Sequence, residues 1–241
     1  MKVEAALIVH LARATQRRSQ VDRLIEDCPV PAEILDAVDG RALTPEALAA
    51  RYVAGLHRPR YPFEANPGEI ACFLSHRAAW TRIVEAGWDA ALVIEDDAGI
   101  EAETLRRAIA LAEAHPGEGF VQFQTRPPGP GETVASDGEI ALIRPEVVPL
   151  RTTFNLFTRD AAMRLLEATE RFDRPIDTTL QMHWITGVVP LVLWPSGATE
   201  QSEAVGGSVI QARVPGWAKM RREVMRPIYR AAIKRRSRKA P

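Results

Sequence analysis

Glu95-Asp96-Asp97 is the densest chemistry in this chain, three carboxylates that directly follow the apolar run Ala90–Ile94. Adjacent carboxylates repel one another, and the repulsion costs stability unless a cation or a basic partner offsets it. A hard divalent ion takes oxygen ligands and commonly uses one or two carboxylates together with substrate phosphates. The run is therefore a candidate metal and phosphate site; the alternative is a solvated acidic turn. Glu69, Cys72 and His76 form a second constellation, spaced i, i+3 and i+7 along one helical stripe. Glu69 is most economically a helix-capping residue there.

These residues need elements that hold them in place. Ala5–Leu11 reads as a first apolar strand, and Val21, Leu24, Ile25 and Cys28 as one face of a helix. A short strand at Ile34–Val38 ends on the turn dipeptide Asp39-Gly40, and Thr44-Pro45-Glu46 opens a short helix. Asn66-Pro67-Gly68-Glu69 combines an N-cap, proline at N1 and glutamate at N3. The helix it starts runs to about Ala86, with Ile70, Phe73, Leu74, Thr81 and Val84 inward. Leu105, Ala108, Ile109 and Ala112 mark the next helix, and Phe120–Phe123 a strand. Arg126–Gly138, rich in proline and glycine, reads as a mobile loop. Strand-like Ile140–Ile143 and Val147–Thr153 follow, then a helix from about Thr158 to Glu170, another from about Asp177, and a late strand over Val188–Trp194. This alternation predicts an α/β domain with a mainly parallel sheet and helices on both faces. Ligands bind such sheets beyond the carboxyl ends of the strands, where Glu95-Asp96-Asp97 lies.

With 241 residues, 46% of them hydrophobic, the chain can bury a sizeable core. Basic and acidic residues balance at 31 each, but not along the chain. From Trp217 onward there are ten cations and one acid, Glu223, which leaves 21 basic and 30 acidic residues before it, a net of −9. The division expected is residues 1–216 as the domain and 217–241 as a basic extension. In that extension Met225, Ile228, Tyr229 and Ala232 recur at helical spacing, so a basic amphipathic helix on an anionic bilayer is one reading. A disordered solubilising end is another. Nucleic acid is not expected as a partner, given the acidic body and the lack of a recognised module. Cys28 and Cys72 have neither metal nor disulfide-framework spacing. No apolar stretch approaches the roughly 20 residues of a membrane span, so a cytoplasmic location is expected.

Gly68-Glu69-Ile70-Ala71-Cys72-Phe73-Leu74-Ser75-His76, followed by Ala91-Leu92-Val93-Ile94-Glu95-Asp96-Asp97, resembles glycosyltransferase family 25, the lipooligosaccharide galactosyltransferase group. The first strand with Arg13, Arg17 and Arg18 after it, the Asp36-Ala37-Val38-Asp39-Gly40 turn, and Pro175-Ile176-Asp177 fit the same pattern. The likeness spans about residues 5 to 211. Departures are Ala71 for a usual glycine, His10 for asparagine, and an unusual Thr153-Phe154-Asn155-Leu156 segment on the acceptor side.

The resemblance implies a GT-A-like nucleotide-sugar-binding fold and metal-dependent, inverting transfer of a hexose, galactose first, from a UDP-sugar. The acceptor would be a lipooligosaccharide, lipid-linked or other cell-surface saccharide. Glu95 and Asp97 would hold Mn²⁺ or Mg²⁺, with Asp96 near the ribose and Arg13, Asp39, Ser75 and His76 toward the nucleotide-sugar. His76 is equally readable as a packed ring, and at least two of Arg13, Arg17 and Arg18 as a solvated face. An inverting transfer needs a base to deprotonate the attacking hydroxyl. Asp177 suits that role and suits an N-cap equally; His183 and Glu200 are the other candidates. With a lipid-linked acceptor, the enzyme would sit peripherally on the inner face of the plasma membrane. The rival functions are a non-catalytic nucleotide- or carbohydrate-binding protein on the same scaffold and a Mg²⁺-dependent phosphohydrolase.

Overall fold

The computed structural model describes residues 1–201 and 216–238. β1 (Val3–His10) is buried on both faces, as its unbroken apolar run requires. A 3₁₀ turn at Thr15–Arg17 leads into α1 (Arg18–Asp27), which buries Val21 and Leu24 but leaves Ile25 36% exposed. β2 (Ala32–Asp36) and α2 (Pro45–Arg51) follow, the latter capped by the Thr44 side chain, which accepts from the Ala47 amide. α3 (Pro67–Ala86) opens on the expected capping box: Asn66 accepts from the Glu69 amide and Glu69 from the Asn66 amide. Its buried face is broader than the expected stripe. Ile70 and Phe73 are joined by His76, Ala79, Trp80 and Ile83, while Leu74, Thr81 and Val84 are only half-buried. β3 (Ala90–Glu95) has Ala90 to Ile94 fully buried, then come the short β4 (Ala98–Ile100), α4 (Ala102–Ala114) and β5 (Phe120–Phe123).

Two expectations are corrected in the next stretch. The loop expected at Arg126–Gly138 contains β6 (Gly131–Asp137), which pairs antiparallel with β7 (Ile140–Pro145) through a turn at Gly138, φ +59°. β6 is an exposed edge strand, so it carries no apolar alternation to betray it. Conversely, Val147–Thr153 is not a strand: Pro149 removes a ladder donor, Arg151 adopts φ +99°, and β8 (Phe154–Thr158) begins only afterwards. α5 (Arg159–Ala168), α6 (Ile176–Leu180), α7 (His183–Thr186), β9 (Leu191–Trp194), β10 (Ala198–Glu200) and α8 (Gly216–Ser237) complete the chain order.

One eight-stranded sheet runs β2-β1-β3-β8-β5-β9-β7-β6, and β10 pairs with β4 in a two-stranded one. Six of the eight strands point the same way; β8 and β7 oppose them. The mainly parallel α/β expectation holds in that sense. Helices cover both faces. α1 and α4 enclose one core with Ala6, Ile8, Leu92 and Ile94, and α3, α5 and α6 enclose the other with Leu7, Ala91, Val93 and Phe157. The carboxyl ends of β1, β2 and β3 therefore share one edge.

α8 is helical as its spacing suggested, but its apolar stripe is divided. Tyr229 and Ile233 are buried against Met182, with Tyr61 and Trp184 alongside, while Ile228 is 57% exposed. The docking side is chosen by chemistry from elsewhere in the chain. Arg174 and Asp173 form an ion pair with both side chains fully buried, 2.6 Å apart. Arg174 also donates to the Tyr229 hydroxyl at 2.7 Å and to the Pro59 carbonyl, and the His57 amide donates to Asp173. Removing one member of a buried pair strands the other. Arg174→Leu should cost about 3–5 kcal/mol, and Tyr229→Phe about 1.5–3 kcal/mol through one lost bond to a charged group. Urea denaturation of both variants checks the order; a Tyr229→Phe protein as stable as wild type would show that α8 is not held there.

Candidate functional site

The end of β3 and the turn after it send the three carboxylates in different directions. Glu95 continues the Ala91–Val93 row toward α3, where its Oε1 lies 3.2 Å from His76 Nε2 and accepts from Thr152 Oγ1 at 2.6 Å. Asp96 turns to the opposite face. One of its oxygens is 2.8 Å from His10 Nδ1 and the other accepts from the Arg17 guanidinium at 2.5 Å, all three side chains being buried. Asp97 remains at the rim, 3.8 Å from Arg17.

The environments push the three groups apart. Burial raises Glu95, but its bonds to His76 and Thr152 outweigh that and hold it below the usual carboxylate range. Burial and the neighbouring Glu95 charge push Asp97 up to about 6, against the pull of Arg17. Asp97 is thus a carboxylate whose ionisation lacks full compensation, and Glu95 an ionised one beside it. A divalent cation would supply that compensation, so this oxygen pair fits Mn²⁺ or Mg²⁺. Both Asp96 oxygens have protein partners, and the residue still lines the cleft.

The carboxylates floor a cleft of about 190 Å³, walled by Arg13, Gly40, Gly68, Cys72 and His76 among others. Arg13 pairs with Asp39 at 2.7 Å, and the Arg41 amide bond with this ion pair keeps Asp39 below its ordinary value. Gly40 abuts the start of α3 so closely that a Cβ would stand 2.7 Å from the Pro67 carbonyl oxygen. Ser75 lines the cleft as a tie: its hydroxyl donates to the Ala71 carbonyl and accepts from the Val38 amide. Glu69 is the capping residue expected. His76 is not a satisfied ring, since its buried Nδ1 has no hydrogen-bond partner. Of the three arginines, Arg17 is buried, whereas Arg18 pairs with Asp22 on an exposed helix face.

The base candidates lie in different places. Asp177 is not the N-cap of α6; Pro175 holds that position, and Asp177 accepts from the adjacent Thr178 amide. Burial, with the Glu95 and Glu69 charges adding, pushes its carboxyl to about 6, and it is not among the residues that line the cleft. His183 sits under α8, 3.4 Å from Ser237 Oγ and edge-on to Trp184, and does not line the cleft. Glu200 closes β10 beside Ala98 and is paired with Arg151 and Arg126. The adjacent Gln201 amide donates to the Asp97 carbonyl, which brings this segment to the mouth. Residues 202–215 lie outside those described. Thr152 and His10 were not foreseen as partners of the carboxylates; no local pattern marks either, because the contacts span 57 and 86 positions.

Comparison with known proteins bears on the first half of the chain. The model of glycosyltransferase family 25 (LPS biosynthesis protein) matches residues 3–122. Procollagen galactosyltransferase 2 of Mus musculus is 33% identical over 116 residues, 47% of this chain and 19% of that protein. Procollagen galactosyltransferase 1 of Danio rerio is 34% identical over 110 residues, 44% and 18% respectively. Inactive glycosyltransferase 25 family member 3 of Mus musculus is 31% identical over 116 residues, 47% and 20%. The chain spans about a fifth of the length of these relatives. Among solved structures, mannose-1-phosphate geranyltransferase from Thermus thermophilus aligns with TM-score 0.36 and 13% identity, over 80% of this chain and 74% of that one. The family match ends short of Pro175-Ile176-Asp177 and of the Thr153–Leu156 segment.

The raised Asp97 carboxyl has a consequence for stability. Its folded pKa, about 6 against 3.8, means the fold prefers the protonated form. Ionisation then costs up to about 3 kcal/mol, growing from about pH 4 and complete above about pH 6. In the presence of a chelator, Asp97→Asn should melt several degrees above wild type at pH 8, with the gap closing toward pH 4. Thermal denaturation at both ends checks this; equal melting temperatures at pH 8 would remove the strain.

Proposed function

Through residues 3–122 the chain belongs to glycosyltransferase family 25, and on that footing we propose that it is an inverting, metal-dependent transferase moving a hexose from a UDP-sugar to a saccharide acceptor. The observation that carries the reading is the cleft at the carboxyl edge of the sheet, lined by Glu95, Asp96 and Asp97. Galactose is the favoured sugar because the matched relatives are named galactosyltransferases. A lipooligosaccharide or other lipid-linked acceptor follows the family's description.

In this reading Glu95 and Asp97 hold Mn²⁺ or Mg²⁺, which when bound neutralises charge on the departing diphosphate. The protein's own groups do the rest. His76 and Thr152 keep Glu95 ionised and aimed, while His10 and Arg17 fix Asp96 and with it the turn to Asp97. Arg13 and Asp39 meet the nucleotide at the rim. Asp177 takes the proton of the attacking acceptor hydroxyl on its carboxylate; a pKa near the working pH suits a general base. The field it shares with Glu95 favours it over His183, held under α8, and over Glu200, neutralised by two arginines.

A non-catalytic binding scaffold is the second reading, favoured by one observation: a 31% identical relative is named inactive. Two variants separate the readings. Asp97→Ala should lose Mn²⁺-dependent UDP binding by calorimetry. Asp177→Asn should keep that binding and lower UDP-sugar turnover by about 10²–10⁴-fold. Wild-type protein that binds UDP with Mn²⁺ yet neither transfers nor hydrolyses a UDP-sugar would favour the scaffold. Release of inorganic phosphate from simple esters would instead mark a phosphohydrolase.

The reading extends to an anionic membrane surface on the cytoplasmic side, where a lipid-linked acceptor would be met. Among the described residues no helix is long and apolar enough to cross a membrane. α8 offers an outward face instead: Val224 and Ile228, 59% and 57% exposed, stand among exposed Arg226, Arg230, Lys234 and Arg235. Each cation near an anionic leaflet contributes about 1 kcal/mol. The protein should co-sediment with phosphatidylserine vesicles at low salt and leave them at high salt. Changing those four cations to Gln preserves the buried docking side and should reduce binding at least tenfold. Undiminished binding of that variant would end the membrane proposal.

A further inference from the structure

Cys72 and His76 stand one turn apart on α3 and both face the cleft. The Cys72 sulfur, a His76 ring nitrogen and a Glu95 carboxylate oxygen all lie within 4.8 Å of one another. We propose that these three residues bind a thiophilic divalent cation, Zn²⁺ in the first instance, at a position separate from the all-oxygen one between Glu95 and Asp97.

Ligand type is the first argument. One sulfur, one nitrogen and one oxygen form a set suited to Zn²⁺, whereas Mg²⁺ and Mn²⁺ favour oxygen. Distance is the second. Bonds of about 2.0–2.1 Å to nitrogen and oxygen in a tetrahedral site put those two atoms about 3.3 Å apart. His76 Nε2 and Glu95 Oε1 are already 3.2 Å apart, so an ion can replace their hydrogen bond with little movement. Cys72 has at most about 1.2 Å to close, within reach of a side-chain rotation from the preceding turn. Support is the third. The Thr152 hydroxyl donates to the same Glu95 oxygen and orients it, the role outer partners play around metal ligands. The open side of the cleft leaves a fourth position for water. On binding, the sulfur–metal bond forms as the thiol proton passes to the buffer, so uptake releases one proton for Cys72.

The two cation positions share Glu95, so filling one bears on the other. If the hard-ion reading of Glu95 and Asp97 holds, Zn²⁺ at Cys72 changes how Glu95 is presented to that ion.

Co²⁺ is the probe, because a thiolate ligand gives it a charge-transfer absorption that oxygen ligands do not. Titration of the chelator-stripped protein should give that band at one equivalent, bleached by one equivalent of Zn²⁺ and untouched by Mg²⁺. Cys28→Ser, altered at the end of α1, should keep it. Cys72→Ser should lose it, and Thr152→Val should bind Co²⁺ about tenfold more weakly. His76→Ala probes the same site should Cys72→Ser fail to fold, and is expected to lose at least tenfold in affinity. No band in the wild type, a band surviving Cys72→Ser, or wild-type affinity in His76→Ala would overturn the proposal. The readout needs neither nucleotide nor turnover, so it stands or falls apart from sugar transfer.

Discussion

Three carboxylates in a row persist where β3 gives way to a turn because their side chains diverge to different partners. Glu95 goes to the α3 side and finds His76 and Thr152; Asp96 goes to the α1 side and finds His10 and Arg17. What looks in one dimension like a knot of repulsion is divided between two cores, each supplying its own donors. Only Asp97, at the rim, is left with its charge poorly balanced. The rest of the architecture serves this division. β3 must be buried on both faces for the split to have two sides, and β1 beside it must end where His10 can reach Asp96.

The arrangement also fixes what each group can do. Asp96 is bonded through both oxygens to His10 and Arg17, which holds its turn at the wall of the cleft. Glu95 is ionised yet constrained, and Asp97 is free to gain from a counter-charge. The difference arises from environment alone, since the residues are chemically near-identical. Glu95 is also the member with two competing neighbours, Asp97 across the rim and Cys72 with His76 beneath. In the proposed scheme of two cation positions, the softness of the ion would decide which of them Glu95 serves.

Where the sequence was legible, the signal was local. Asn66-Pro67-Gly68-Glu69 announced the start of α3 because all its partners lie within one turn, and the α4 stripe from Leu105 to Ala112 is buried as its period required. The apolar run into Glu95 located the site for the same reason. β6 escaped because an exposed edge strand needs no apolar face, and Val147–Thr153 misled because Pro149 and the backbone of Arg151 outweigh its β-branched residues. The choice of Arg17 over Arg13 and Arg18 depended on Asp96, 79 positions away. Contacts of that span leave no periodicity behind.

α8 extends this argument to the chain's basic end. Its helical period was readable, but a period does not say which residues within a stripe will be covered. That was decided by Arg174, whose guanidinium needs the Tyr229 hydroxyl 55 positions on, as well as Asp173 and the carbonyls of His57 and Pro59. A fully buried arginine cannot leave its donors unmet, so it dictates the rotation of the helix that brings the last partner. The consequence reaches Asp177. Arg174 immediately precedes Pro175, the cap of the short α6 that carries Asp177. The helix that presents cations outward is therefore bonded, through one arginine, to the turn that sets the Asp177 carboxylate. The basic end and the turn before Asp177 therefore share one buried guanidinium.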